Sequence, residues 1–165
     1  MKIRSFMTMT MAAVALVFGM CSCGDDDKDE PEAALAEQVD GWYTGQEILT
    51  VMGEPDEGTV MFLFTKSSDV AVDMTIPAYG EGMMTIPELP VKGITLTKSG
   101  NTITGKLASY TGSVASADGS EKAYTVSDVT VLFNDKNVVV TFSLKYGNMP
   151  FAFDGQFTGR YITPI

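Results

Sequence analysis

The sequence predicts an all-β protein, a small antiparallel up-and-down β-barrel of eight or nine strands, and three observations carry that prediction. From Gly41 onward apolar and polar residues alternate with a period of two, turn residues recur at short intervals, and no stretch shows the 3.6-residue period of an amphipathic helix of any length. A chain of 165 residues with 45% apolar content has enough material for one buried core.

Ahead of the strands, Lys2 and Arg4 precede the apolar run MAAVALVFGM, which is too short to cross a bilayer as a helix but suits a secretory leader. MCSC, residues 20–23, resembles a bacterial lipobox. That resemblance implies that the Cys23 sulfur takes a diacylglycerol and that the leader is cut just before it. Cys23 is favoured over Cys21 because small Ser22 precedes it and acid follows, whereas Cys21 follows bulky Met20. A disulfide within C-x-C would close a ring too tight for relaxed geometry. GDDDKDE, residues 24–30, resembles the acidic export signal of surface lipoproteins of the Bacteroidota. It also reads as a solvated linker, since a run of like charge repels itself and stays extended. The expected organisation is a lipoprotein signal peptide over 1–22, a lipidated cysteine and acidic flexible linker over 23–38, and a barrel domain over 39–165. The expected location is the outer membrane, lipid-anchored and facing outward.

ALAEQV, residues 34–39, predicts a short helical plug below the barrel, with Leu35 and Val39 on one face. Strand-like runs then follow at about 42–52, 59–66, 69–77, 84–91, 93–98, 102–113, 123–133, 138–146 and 150–162. The joints carry turn chemistry: Glu54-Pro55-Asp56-Glu57-Gly58, Ser67-Ser68, Ser99-Gly100-Asn101 and Asn134-Asp135-Lys136-Asn137. In AYTVSDVTVLF the apolar phase shifts from Tyr124 and Val126 to Val129, Val131 and Phe133, which predicts a β-bulge near Ser127-Asp128.

Four tetrads, YTGQ, ITGK, YTGS and FTGR, each place a glycine inside a strand, as expected where a sheet coils and closes on itself. Two of them occupy the first and last strands, so Gly45 and Gly159 are expected at the closing seam. VDGWYTG, TIPELPVKG and FDGQFTG together resemble the calycin-like domain of exported Bacteroidota proteins, a lipocalin-related small barrel. The resemblance implies that Trp42 on the first strand packs under Arg160 of the last, and that the barrel binds a ligand.

The chain has no histidine, and acylation of Cys23 would leave no reactive thiol, so histidine-dependent nucleophilic catalysis and the common zinc sites are excluded. No cofactor is implied. Glu47, Asp73, Asp128 and Asp154 lie within strands, and a facing pair of them would be needed for glycosidase work. Asp73 and Asp154 fall on the polar phase of their strands, which favours solvent, and catalysis ranks far below binding. Glu47 shares a phase with Tyr43, Leu49 and Val51; it is either an interior polar handle or turns outward past a bulge. Phe151, Phe153, Phe157 and Tyr161 share one phase of the last strand, and a barrel core is favoured there over a stacking stripe. AYGEGMM, residues 78–84, reads as a lid at a barrel mouth or as plain loop.

Charge narrows the partners. Residues 24–40 carry eight acids and one base, residues 41–165 thirteen acids and eight bases, so the linker sits at −7 and the barrel at −5. Such a surface repels phosphate backbones, and nucleic acid is not an expected partner. The expected function is a non-enzymatic binding module for a small apolar or amphipathic ligand, held by Tyr43, Glu47, Tyr79, Met83, Met84, Phe142 and Phe153. The alternative is a barrel packed solid that serves as an interaction or accessory component of an envelope complex.

Overall fold

The computed structural model describes residues 33–82 and 85–163; the leader, Cys23, the acidic run, Met83 and Met84 lie outside the described residues. Eight strands run in chain order: β1 Gly41–Val51, β2 Glu54–Ser68, β3 Ala71–Ile76, β4 Leu89–Ser99, β5 Thr102–Ala115, β6 Glu121–Asn134, β7 Asn137–Tyr146 and β8 Phe153–Ile162. Each pairs antiparallel with the next, and β8 returns to β1, so the sheet is a closed up-and-down barrel. Closure leaves no free edge around the waist of the barrel, the usual protection against edge-to-edge aggregation.

The inward positions are where period-two burial puts them. β7 alternates without a break, with Val138, Val140, Phe142, Leu144 and Tyr146 buried between more exposed neighbours. The interior is filled by side chains. Phe62 stacks on Phe157 with ring centroids 4.4 Å apart and contacts Phe142 at 6.2 Å, while Phe64 meets Phe133 edge-on at 5.0 Å. Each fully buried ring of this kind contributes about 1.5–3 kcal/mol through removal from water, and the offset and edge-on contacts add to that.

Local backbone explains where the strand boundaries depart from the expected ones. The first turn falls on Met52-Gly53, both at positive φ (52° and 87°), rather than on 54–58. Paired positive φ values suit a two-residue hairpin, so Glu54–Gly58 becomes strand, running opposite Glu47–Val51. Pro55, which cannot donate to a ladder, sits in the stretch of β2 that has a neighbour on one side only. The runs expected at 84–91 and 93–98 are not two strands. They contribute to the single β4, which kinks at Gly93 (φ 80°), where Asp73 Oδ1 accepts the Gly93 N–H at 3.0 Å. The register between β3 and β4 shifts there. The bulge expected near Ser127-Asp128 is present: β6 and β7 slip between Ser127 and Thr130, with Asp128 at φ 54°.

The barrel wall is not level. β3 pairs β2 only along Leu63–Ser68, and β5 pairs β4 only along Thr102–Lys106. Above those rungs β2 and β5 each have one neighbour, so the wall is tall from β2 through β1, β8, β7 and β6 to β5 and low at β3 and β4. The loop of residues 77–88 serves the low side, tied to itself by the Tyr79–Ile86 bridge. At the opposite end, Ala34–Asp40 make a single turn of helical hydrogen bonding, Asp40 N–H to the Ala36 carbonyl at 3.0 Å. Ala36 and Val39 are the buried residues of this plug, with Leu35 half-buried beside them. The Tyr43 hydroxyl donates to the Val39 carbonyl at 3.1 Å and Lys66 pairs with Glu37 at 2.6 Å, which fix the plug to the strands; Lys66 also pairs with Asp69 of the β2–β3 turn at 2.9 Å.

A recess at the open end of the barrel

The open end carries the β1–β2, β3–β4, β5–β6 and β7–β8 connections, and the uneven wall shapes what lies there. Leu49 and Val51 at the end of β1, Phe153 at the start of β8, and Met149 and Phe151 just before it face Tyr79, Gly80 and Ile86 of the 77–88 loop, with Asp56 of β2 at the side. Together they enclose a recess of about 260 Å³. That is a little under the ~300–1,000 Å³ usual for small-molecule pockets, which limits an occupant to one short alkyl chain or ring system. Two other recesses, of about 280 Å³ each, flank the plug, but their walls are largely polar: Gln38, Lys98, Asn101, Asn134 and Asp135 in one, Glu37, Asp40 and Lys136 in the other. Of these three, the mouth recess combines apolar walls with a buried polar group on an adjoining strand position.

That group is Glu47. Its residue is 3% exposed, on the inward face of β1, and Oε1 accepts the Tyr79 hydroxyl at 2.7 Å. The bond clips the loop to the first strand, thirty-two residues away in sequence. Burial disfavours the charged carboxylate and raises the Glu47 pKa from 4.5 to about 7, with the Tyr79 hydrogen bond pulling weakly the other way. Burial, and the proximity of Glu47, also raise the Tyr79 phenol well above its ordinary range, so it stays a donor.

The raised pKa has a sign. A folded-state pKa above the unfolded 4.5 means that the native protein holds the extra proton between those values. The Glu47 contribution to stability is therefore complete below about pH 4.5 and is lost as pH rises through about 7. Glu47→Gln is expected to flatten the pH dependence of unfolding over that window, removing about 1–3 kcal/mol of it. Urea titrations at pH 5 and pH 8 would show this, and an unchanged slope in the variant would contradict it.

The residues expected to hold a ligand divide into three groups. Tyr79 and Phe153 line the recess, and Glu47 anchors one of its walls. Tyr43 and Phe142 do not reach it: the Tyr43 ring packs against Phe64, Phe133 and Tyr161 near the plug, and Phe142 lies in the core against Phe62. Met83 and Met84 are outside the described residues. At the closing seam Gly45 lies opposite Gly159, while Thr44 lies opposite Arg160 and Trp42 opposite Ile162. Trp42 is 37% exposed and Arg160 is exposed, both on the outer face. This departs from the packing that the lipocalin resemblance implies, because Tyr43, not Trp42, shares the inward phase with Glu47 and Leu49. The carboxylates of the strands do not converge either: Asp128 and Asp154 are exposed, and Asp73 is engaged with Gly93.

Asp56 and Ile86 line the recess without having been singled out by pattern, while Leu49, Val51 and Phe151 were read as phase-mates on their strands and not as part of a site. Placing the first turn at Met52-Gly53 would have found Asp56, because it sets Leu49 opposite Asp56 and Val51 opposite Glu54.

No protein-family model matches the chain, and no curated protein matches it by sequence. Among solved structures it is similar to a crystal structure from Bacteroides fragilis NCTC 9343 described as a putative outer membrane protein, with a TM-score of 0.58 at 16% identity. The match takes in 78% of this chain and 53% of the other, so the chain spans about half the length of that protein. At that identity the likeness is one of fold.

Proposed function

We propose that the protein is a non-enzymatic binding module that takes a small apolar or amphipathic molecule at the barrel mouth, not in the barrel interior. The apolar recess closed by the Glu47–Tyr79 bond carries this reading. The interior is occupied by stacked rings, so the space available to a ligand lies above Phe153. A surface-tethered form, acylated at Cys23 and held at the outer membrane, fits the leader, MCSC and the acidic run, and the name of the structural neighbour points the same way. Mass analysis of the mature amino terminus tests the acylation.

The test of binding uses a neutral environment-sensitive dye such as Nile red. Saturable one-site binding is expected, with Phe153→Ala and Met149→Ala each weakening it by about 5–30-fold, the loss of a partly buried apolar contact. Absence of saturable binding would sink the reading. It would favour the second one, an accessory protein that uses its outer surface, for which one observation speaks: exposed Trp42 and Met61 flank half-buried Leu63 and Ile162 on neighbouring rungs outside the seam. Isolation of a stable envelope complex broken by Trp42→Ser would then support that alternative.

A further inference from the structure

From the carboxylates around the recess we infer that it selects amphipathic cations, molecules with an ammonium or similar donor head and a short apolar body. This rests on the reading of the recess as a ligand site and adds the class of ligand. In the β1–β2 hairpin the inward phase above the core runs Glu47, Leu49 and Val51 on one strand and Glu54, Asp56 and Gly58 on the other. Three of those six positions are carboxylates: Glu47 is buried and accepts the Tyr79 hydroxyl, while Glu54 and Asp56 are exposed at the rim, Asp56 in the recess wall itself. Glu81 follows directly on Gly80, which lines the recess from the opposite loop.

Among the described residues neither Glu54 nor Asp56 has an ion-pair partner, and the inward-phase base across the mouth, Lys122 of β6, is engaged with Asp118 at 3.7 Å. Like charges held beside an apolar cavity raise the local concentration of a cation and repel an anion. An ammonium has three donors and no acceptor, and Asp56 in the recess wall presents carboxylate oxygens that accept.

The experiment titrates the full chain calorimetrically, at low salt and below micelle formation, with three amphiphiles of one tail length: octylammonium, octyl sulfate and octyl glucoside. Octylammonium is expected to bind about tenfold or more tighter than octyl sulfate, with the gap narrowing as salt is added. The double variant Glu54→Gln/Asp56→Asn should bind octyl glucoside as before and lose the preference. Asp56→Asn alone, together with the salt series on the unaltered chain, keeps the test decisive if the double variant folds poorly. Equal affinity for all three heads overturns the charge selectivity while leaving the recess as a binding site. Binding of none of them overturns the site itself.

Discussion

Gly45→Ala is expected to lower the melting temperature by about 10–15 °C, or to prevent folding outright. A β-carbon at Gly45 would lie 2.1 Å from the Thr158 carbonyl oxygen and 2.4 Å from the Gly159 α-carbon. Both are backbone atoms of β8, held by the same ladder that closes the barrel. A crowded side chain can change rotamer, but a crowded strand can move only by giving up its hydrogen bonds. Ordinary overpacking costs about 1–3 kcal/mol, and a clash with fixed backbone sits at or above the upper end, against a total stability of roughly 5–15 kcal/mol. For a domain of this size each kcal/mol moves the midpoint by about 4 °C. The control is Gly58→Ala, on the strand across from Glu47, where a β-carbon meets nothing within 4 Å. Thermal unfolding by circular dichroism separates the two. A Gly45→Ala midpoint within a few degrees of the parent would mean that the seam is not as tight as described.

The seam also shows what was legible in the sequence. YTGQ and FTGR placed glycines in the first and last strands, and Gly45 does face Gly159 in the closing ladder. The reason is more specific than coiling: the Phe157 ring lies over Gly159, where an added β-carbon would stand 2.3 Å from it, and the Phe142 ring covers Gly155 in the same way. Aromatic rings laid over strand glycines fill the interior that a wider barrel would leave open. Alternation cannot report this, because it tells which face a phenylalanine turns to and not where its ring lies. The bulge at Asp128 was legible because a phase shift of one residue leaves a mark on a period-two pattern.

The mouth was read poorly for a different reason. Glu54-Pro55-Asp56-Glu57-Gly58 has the composition of a loop, and composition outweighed the two-residue Met52-Gly53 turn that fixes the register. A one-residue or longer error there transfers Asp56 from the wall of a recess to open solvent. Pro55 pointed the same wrong way, since a strand with a single neighbour tolerates proline and a central one does not. Glu47 was flagged because an acid on an inward phase is rare. Its partner Tyr79 sits in a loop, and no periodicity links positions thirty-two residues apart.

Phe62→Ala is expected to cost about 3–5 kcal/mol and to turn a barrel that holds no ligand in its interior into one that does. Phe62 is fully buried, stacked on Phe157 at 4.4 Å and tilted against Phe142 at 6.2 Å, so its removal strips two aromatic contacts as well as its own burial. The neighbours cannot collapse into the gap. Phe157 is pinned over Gly159 and Phe142 over Gly155, both on β8, whose backbone is paired on either side. A cavity that stays open and is lined by rings remains dry, and such cavities take benzene-sized guests. Benzene should therefore raise the melting temperature of Phe62→Ala well beyond any shift it gives the parent protein through the mouth recess, whereas Nile red should bind both alike at the mouth. If benzene stabilised the parent protein equally, the interior would already contain accessible space. The ligand would then belong inside the barrel, among Tyr43, Phe142 and Phe153, and not in the recess above it.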